Sequence, residues 1–197
     1  SEGRKNHRSD HGNIDVVLGK IVYTHMLNRC GGIETDITVN RLAENRYLII
    51  SSATAHPRDK AWIERRIANS DNVTLMDVTS SYAVLSLQGP SARDILSRAT
   101  DSDLSNKVFP FAPSQEINVG FARVIANRLT YVGELGWELH IPTEFAQGVF
   151  NVVMAAGTGF GLRPAGYHAL EHLRSERAYR EYELDLTPED TPLEAGL

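Results

Sequence analysis

The strand candidates of this sequence come in adjacent pairs, and a helix separates one pair from the next. Asp36, Ile37 and Val39 with polar residues between them, then Ala43-Glu44-Asn45, then Tyr47 to Ile50, read as two strands joined by a tight connection. A helix with Pro57 in its first turn and Ala61, Ile63 or Trp62, and Ile67 at helical spacing should follow and end near Asn69-Ser70. Val73 to Val78 and Tyr82 to Leu87 form the next pair, closed by Gly89-Pro90 and a short helix through Ile95 and Leu96. Paired strands favour α+β over a regular strand-helix-strand succession, so the expected class is α+β, with mostly antiparallel sheets and flanking helices.

The second half repeats the arrangement. Glu116 to Ala126 is strongly strand-like, and Leu129 to Val132 and Trp137 to Ile141 follow around Gly133 and Gly136 as an antiparallel meander. Thr143 is expected to cap a helix with Phe145, Val149, Phe150, Val153 and Met154 that Gly157 ends, and a last helix should run from about Ala165 to Tyr179. Residues 1–13 hold charges and almost nothing apolar, so they read as a tail or linker, with lobes at about 14–113 and 114–197. The ending Ala195-Gly196-Leu197 has no polar tail and reads as a cut in a longer protein.

A net charge of -5 supplies no basic field for a nucleic acid or an anionic membrane. No apolar run is long enough to span a bilayer, and no secretory signal begins the chain. Cys30 is the only cysteine, so no internal disulfide can form, and an intracellular compartment is expected: cytoplasm in a bacterium, mitochondrial matrix in a eukaryote.

Three motifs have plainer explanations. His168-Ala169-Leu170-Glu171-His172 matches an inverted zinc-protease pattern, but a third ligand is missing, so no metal is expected. Gly157-Thr158-Gly159-Phe160-Gly161 resembles a dinucleotide loop, yet it follows a helix where that loop follows a strand, and a helix-ending turn accounts for it. Cys30 lies near His25 in sequence, but nothing fixes their geometry, and a small buried or half-buried residue beside Gly31-Gly32 is the expected role.

Six blocks occur in an order that identifies a family. Tyr23-Thr24-His25-Met26-Leu27-Asn28 with Gly31-Gly32-Ile33-Glu34-Thr35-Asp36, Leu87-Gln88-Gly89-Pro90, Thr130-Tyr131-Val132-Gly133-Glu134-Leu135-Gly136-Trp137-Glu138, Leu173-Arg174-Ser175-Glu176 and Thr191-Pro192-Leu193-Glu194-Ala195-Gly196-Leu197 together resemble the aminomethyltransferase family, the T-protein of glycine cleavage. Arg163 to Leu170 and Asp185 to Pro192 are similar to the C-terminal folate module of dimethylglycine and sarcosine dehydrogenases. The resemblance implies two lobes of a folate-binding fold, without its first segment and its C-terminal barrel. It implies tetrahydrofolate as cofactor, and FAD only in a flavin domain outside this chain, in cis or in trans.

The implied activity is capture of a formaldehyde-level carbon, released from a methylated glycine, as 5,10-methylenetetrahydrofolate. The alternatives are a stand-alone aminomethyltransferase and a folate-binding protein without turnover. The family pairs a Tyr and a Glu seven residues apart on folate, which Tyr131 and Glu138 match; Asp36 matches its catalytic acid. The residues agree with these roles. In Trp137-Glu138-Leu139-His140-Ile141 the apolar positions alternate, so Glu138 and His140 face away from the core. A carboxylate there suits the adjacent N–H donors of a pterin edge, Tyr131 offers a flat face or a hydroxyl, and Asp36 can move a proton. The family also has a folate-contacting Arg ahead of the Leu-Arg-x-Glu block, and Leu170 stands at that position here.

Overall fold

The computed structural model describes residues 12–197, so the expected tail at 1–13 lies almost wholly outside the described residues. The chain is α+β, with two antiparallel sheets, and it divides into two compact units. One holds the described residues up to Met76 together with Arg180–Leu197, and the other is Asp77–Tyr179. The sequence suggested a division near residue 113 and did not anticipate that the C-terminal segment groups with the first unit.

In the first unit, β1 (Ile21–Leu27), β2 (Ile33–Ala43) and β3 (Arg46–Ser51) form a meander in the order β1-β2-β3. Alternation along β2 buries Ile33, Thr35, Ile37 and Val39 on one face. Met26, Ile37 and Val39 pack with Tyr47 and with Trp62 and Ile63 of α1 (His56–Glu64). Pro57 sits in the first turn of α1 as expected, but the helix ends sooner than Asn69. Arg66 is the reason: its guanidinium lies 3.3 Å from the Trp62 ring centroid and donates to the Trp62 carbonyl at 3.0 Å, while its backbone N–H turns to the Ile63 carbonyl. The acceptor for the next helical bond is thereby taken.

The C-terminal segment completes this unit. Ile33 is fully buried against Tyr182 and Leu186, with Ala195 and Leu197 alongside, and its N–H donates to the Asp190 carbonyl at 2.9 Å. The Asn28 carboxamide accepts from the N–H groups of Cys30 and Gly32 and donates to the Pro188 carbonyl. A Cβ on Gly32 would lie 1.9 Å from that same carbonyl oxygen, so Gly32 is required by close approach of two backbones. Gly32→Ala is therefore expected to destabilise the chain by about 2–3 kcal/mol, read as a lowered midpoint in urea unfolding.

The second unit has β4 (Tyr82–Gln88), α2 (Ala92–Leu96), β5 (Ser114–Val119), β6 (Ala122–Asn127), β7 (Gly136–Pro142), α3 (Ala146–Ala156) and α4 (Tyr167–Glu176), with sheet order β4-β7-β6-β5. Trp137, Leu139 and Ile141 of β7 meet Val124 and Ala126 of β6, Ile95 and Leu96 of α2, and Val149 and Val153 of α3 in one core. Several expectations need correction here. Val73 to Val78 is not a strand: β4 is the sheet edge, no strand among the described residues pairs with 73–78, and Val73 and Met76 are exposed. Glu116 to Ala126 is a hairpin, turned at Gly120 (φ +58°) with Phe121 exposed. Leu129 to Val132 is a loop. Thr143 caps nothing; its hydroxyl donates to the Ser80 carbonyl at 2.8 Å, and α3 begins after a 3₁₀ turn. The last helix is shorter than expected, because the Arg174 carbonyl accepts from Tyr179 and Ala178 takes a left-handed φ of 57°.

Candidate functional site

Glu138 lies in the middle of β7, opposite Ser86 of β4 and Asn127 of β6. Its neighbours Trp137 and Leu139 point into the core, so its carboxylate stands on the other face with His140, as the alternation requires. The carboxylate is half-buried and has no hydrogen-bond or ion-pair partner among the described residues. Burial raises its pKa from 4.5 to about 6. His140 is buried, and the Asn127 carboxamide N–H₂ lies 3.0 Å from its Nε2. That nitrogen then accepts, so the ring proton sits on Nδ1, and burial lowers the imidazole from 6.5 to about 4. A neutral His140 leaves the Glu138 charge uncompensated.

These two groups act in opposite directions on stability. The folded state holds a proton on Glu138 that the unfolded chain loses between pH 4.5 and 6, so rising pH through that window removes stability. His140 does the reverse: below pH 6.5 the unfolded chain gains a proton that the folded state refuses down to about 4, so falling pH removes stability. Glu138→Gln is expected to stabilise the ligand-free chain at pH 8 by about 1–2 kcal/mol, a gain that vanishes near pH 4.5. Thermal unfolding of both proteins across pH 4.5 to 8 measures it; an equal Tm at pH 8 would show that the carboxylate is freely solvated.

Tyr131 lies in the loop between β6 and β7, half-buried, with its ring stacked on Tyr179 at 6.2 Å and 22°. The loop is held from within. The Thr130 hydroxyl accepts from the N–H groups of Val132 and Glu134. Gly133 has a φ of +71° and abuts the Arg177 side chain, which pairs with Glu134 at 2.9 Å. A Cβ on Gly136 would lie 2.0 Å from the Gln88 Oε1. Both glycines of the Thr130–Glu138 block thus have steric reasons, and they fix the path from Tyr131 to Glu138.

Asp36 belongs to the first unit, on the β2 face opposite the core. The Tyr23 hydroxyl donates to its Oδ2 at 3.0 Å, and His25 is its cross-strand partner. The Tyr23 and His25 rings meet edge-on at 5.1 Å. Behind Asp36, Thr35 is fully buried and donates to the buried Asp59 at 3.1 Å. Burial raises the Asp59 pKa while Thr35 and Arg58 oppose the rise. The sequence names Asp36 and Glu138 but points to neither the Tyr23 hydroxyl that donates to Asp36 nor the buried pairs Asn127–His140 and Thr35–Asp59 nearby. Tyr23 was visible in a family block, whereas its contact depends on the β1–β2 register.

The remaining candidates are accounted for locally. Glu171 is held by Arg174 at 2.7 Å, and His172 lies 3.1 Å from Glu176. Gly157 ends α3, but Cys30 is exposed and not buried or half-buried: it lies in the turn between β1 and β2, where its N–H donates to the Asn28 carboxamide. No helix among the described residues is long and apolar enough to cross a membrane.

A family model described as the GCVT N-terminal domain matches residues 11–197. Mitochondrial sarcosine dehydrogenase of Mus musculus is 42% identical over 91% of this chain and 21% of its own length. Mitochondrial dimethylglycine dehydrogenase of Homo sapiens is 34% identical over 92% of this chain and 21% of its length. The chain thus spans about a fifth of these relatives. The crystal structure of glycine cleavage system aminomethyltransferase T from Bartonella henselae superposes with a TM-score of 0.75 at 26% identity, covering 90% of this chain and 46% of that one.

Proposed function

The chain belongs to the GCVT N-terminal domain family, and on that premise we propose that it is a tetrahydrofolate-binding module that captures a formaldehyde-level carbon from oxidative demethylation of a methylated glycine. Glu138 is the observation that carries this reading. A half-buried carboxylate without a partner, its pKa raised to about 6 by burial, is costly to the free chain and suits a ligand that brings its own donors. The aminopyrimidinone edge of a pterin offers adjacent N–H groups to such a carboxylate.

When bound, tetrahydrofolate supplies the amine nitrogens that take up the carbon as 5,10-methylenetetrahydrofolate. Glu138 accepts the two-pronged hydrogen bond, and Tyr131, stacked on Tyr179, offers an aromatic face. Asp36, whose carboxylate accepts from the Tyr23 hydroxyl, would hold and return a proton at an amine nitrogen. The carbon would come from a flavin domain, in cis or in trans, and FAD belongs to that domain.

The likeness to aminomethyltransferase T supports a second reading, in which the carbon comes from a lipoyl-bound aminomethyl group. One experiment separates the two. The full-length protein is given sarcosine or dimethylglycine with and without tetrahydrofolate, and formaldehyde is followed. Diversion of the carbon from free formaldehyde supports capture; formaldehyde release unaffected by tetrahydrofolate, with activity on a lipoyl carrier protein, supports the second reading.

A further inference from the structure

Helix α4 buries only Arg174 of its ten residues, and the turn that follows it is tied back onto that residue. The Arg174 guanidinium donates to Glu171 at 2.7 Å and to the Tyr179 carbonyl at 3.0 Å, while the Tyr179 N–H returns to the Arg174 carbonyl at 3.1 Å. Ala178, at a left-handed φ of 57°, closes the turn. Arg177 and Tyr179, on either side of it in sequence, both reach the Thr130–Glu138 block. Arg177 Nη2 donates to Glu134 Oε1 at 2.9 Å, and the Tyr179 ring stacks on Tyr131. The Arg177 stem approaches Gly133 so closely that an added Cβ there would lie within 2.8 Å of its Cγ, Cδ and Nε.

The loop that carries Tyr131 is incompletely packed. Val132 is buried, but Leu129, Thr130 and Gly133 to Gly136 border a hollow of about 310 Å³. The bonds from the Val132 and Glu134 N–H groups to the Thr130 hydroxyl stiffen the loop without setting where it lies. Ahead of Tyr131, the Gln88 carboxamide donates to the Leu129 carbonyl at 3.4 Å. Beyond Tyr131, Arg177 takes over that task at Gly133 and Glu134. The Arg177–Glu134 pair is half-exposed and contributes little to global stability, so its effect is local.

We propose that the turn at Arg177–Tyr179 is a clasp on this loop, and that Arg177 is a positioning residue for tetrahydrofolate: by holding Gly133 and Glu134 it sets the Tyr131 ring for the pterin. The proposal rests on the reading that Tyr131 and Glu138 hold the pterin. Without the clasp the loop can sample the hollow, and reordering it on binding weakens affinity while Asp36 is untouched.

The full-length protein carries the test. Arg177→Gln should keep the wild-type Tm, exchange the backbone amides of residues 129–136 faster by mass spectrometry, and bind tetrahydrofolate about three- to fivefold more weakly. Its kcat for methylenetetrahydrofolate formation at saturating folate should be unchanged, so the loss falls on KM. Arg177→Lys, which keeps the charge and most of the stem, should recover most of the affinity. Arg177→Gln combined with Glu134→Gln should bind no worse than Arg177→Gln alone, because the two side chains act as one pair. Wild-type exchange or wild-type Kd in Arg177→Gln, a lowered Tm, or losses that add in the double variant overturns the clasp. Tyr131→Ala separates this from the reading beneath it. A Kd equal to wild type in Tyr131→Ala removes Tyr131 from the folate site and overturns both, whereas weak binding there with wild-type behaviour in Arg177→Gln overturns the clasp alone.

Discussion

Replacing Asp36 by Asn is expected to leave tetrahydrofolate binding largely intact while formation of 5,10-methylenetetrahydrofolate falls by about 10² or more. The substitution keeps size and polarity, and the new amide oxygen can still accept from the Tyr23 hydroxyl that now reaches Asp36 Oδ2 at 3.0 Å. It removes the negative charge and the capacity to hold a proton. In a protein that couples amine oxidation to capture, the carbon would then leave as free formaldehyde. Amine oxidation, formaldehyde and methylenetetrahydrofolate should be followed together at saturating folate, because their ratio separates a failed capture from a damaged oxidising domain. Wild-type partitioning in the Asn variant would remove Asp36 from the chemistry and leave it as the partner of Tyr23.

Glu138→Gln acts on recognition instead. A neutral amide loses the charge-assisted pair and turns one acceptor into a donor facing a donor, a loss of about 2–3 kcal/mol for a desolvated contact. That corresponds to a roughly 30- to 150-fold weaker Kd. The same substitution should stabilise the free chain at high pH, since burial raises the carboxyl to about 6 and nothing among the described residues offsets it. Lower affinity together with higher stability is the signature of a group held ready for a ligand. A residue that merely supports the sheet would lose both.

Legibility from sequence followed periodicity. The alternation in Trp137 to Ile141 assigned Glu138 and His140 to the face away from the core; Glu138 is half-buried there, whereas His140 is buried on it beside Asn127. The α+β class followed from paired strands in the same way. Strand pairing over long range was less visible. Val73 to Val78 has strand-like residues but pairs with no strand among the described residues, and the hairpin at Gly120-Phe121 hides inside an apolar run. β1 escaped notice because Tyr23, Thr24 and His25 break its apolar pattern, and with it went the Tyr23–Asp36 contact. Asn127 and Asp59 are polar residues made important by burial, which a single sequence does not display. The association of Ile33 with Tyr182 and Leu186 joins segments far apart in the chain, although Gly31-Gly32-Ile33 and the Thr187-Pro188-Glu189-Asp190 stretch had already been singled out as blocks.

The most direct test of a tetrahydrofolate site built on Glu138 is the affinity for tetrahydrofolate measured by titration calorimetry on the full-length protein between pH 5 and 8, in the wild type and in Glu138→Gln. The ionised carboxylate is the form that accepts the pterin donors, and its pKa in the free chain is about 6. Wild-type Kd should therefore be level above about pH 7 and rise towards tenfold per pH unit below the pKa, while the variant binds weakly with no such bend. Equal affinities in the two proteins, with the same pH profile, would contradict the assignment and return Glu138 to the role of an ordinary residue on a polar sheet face.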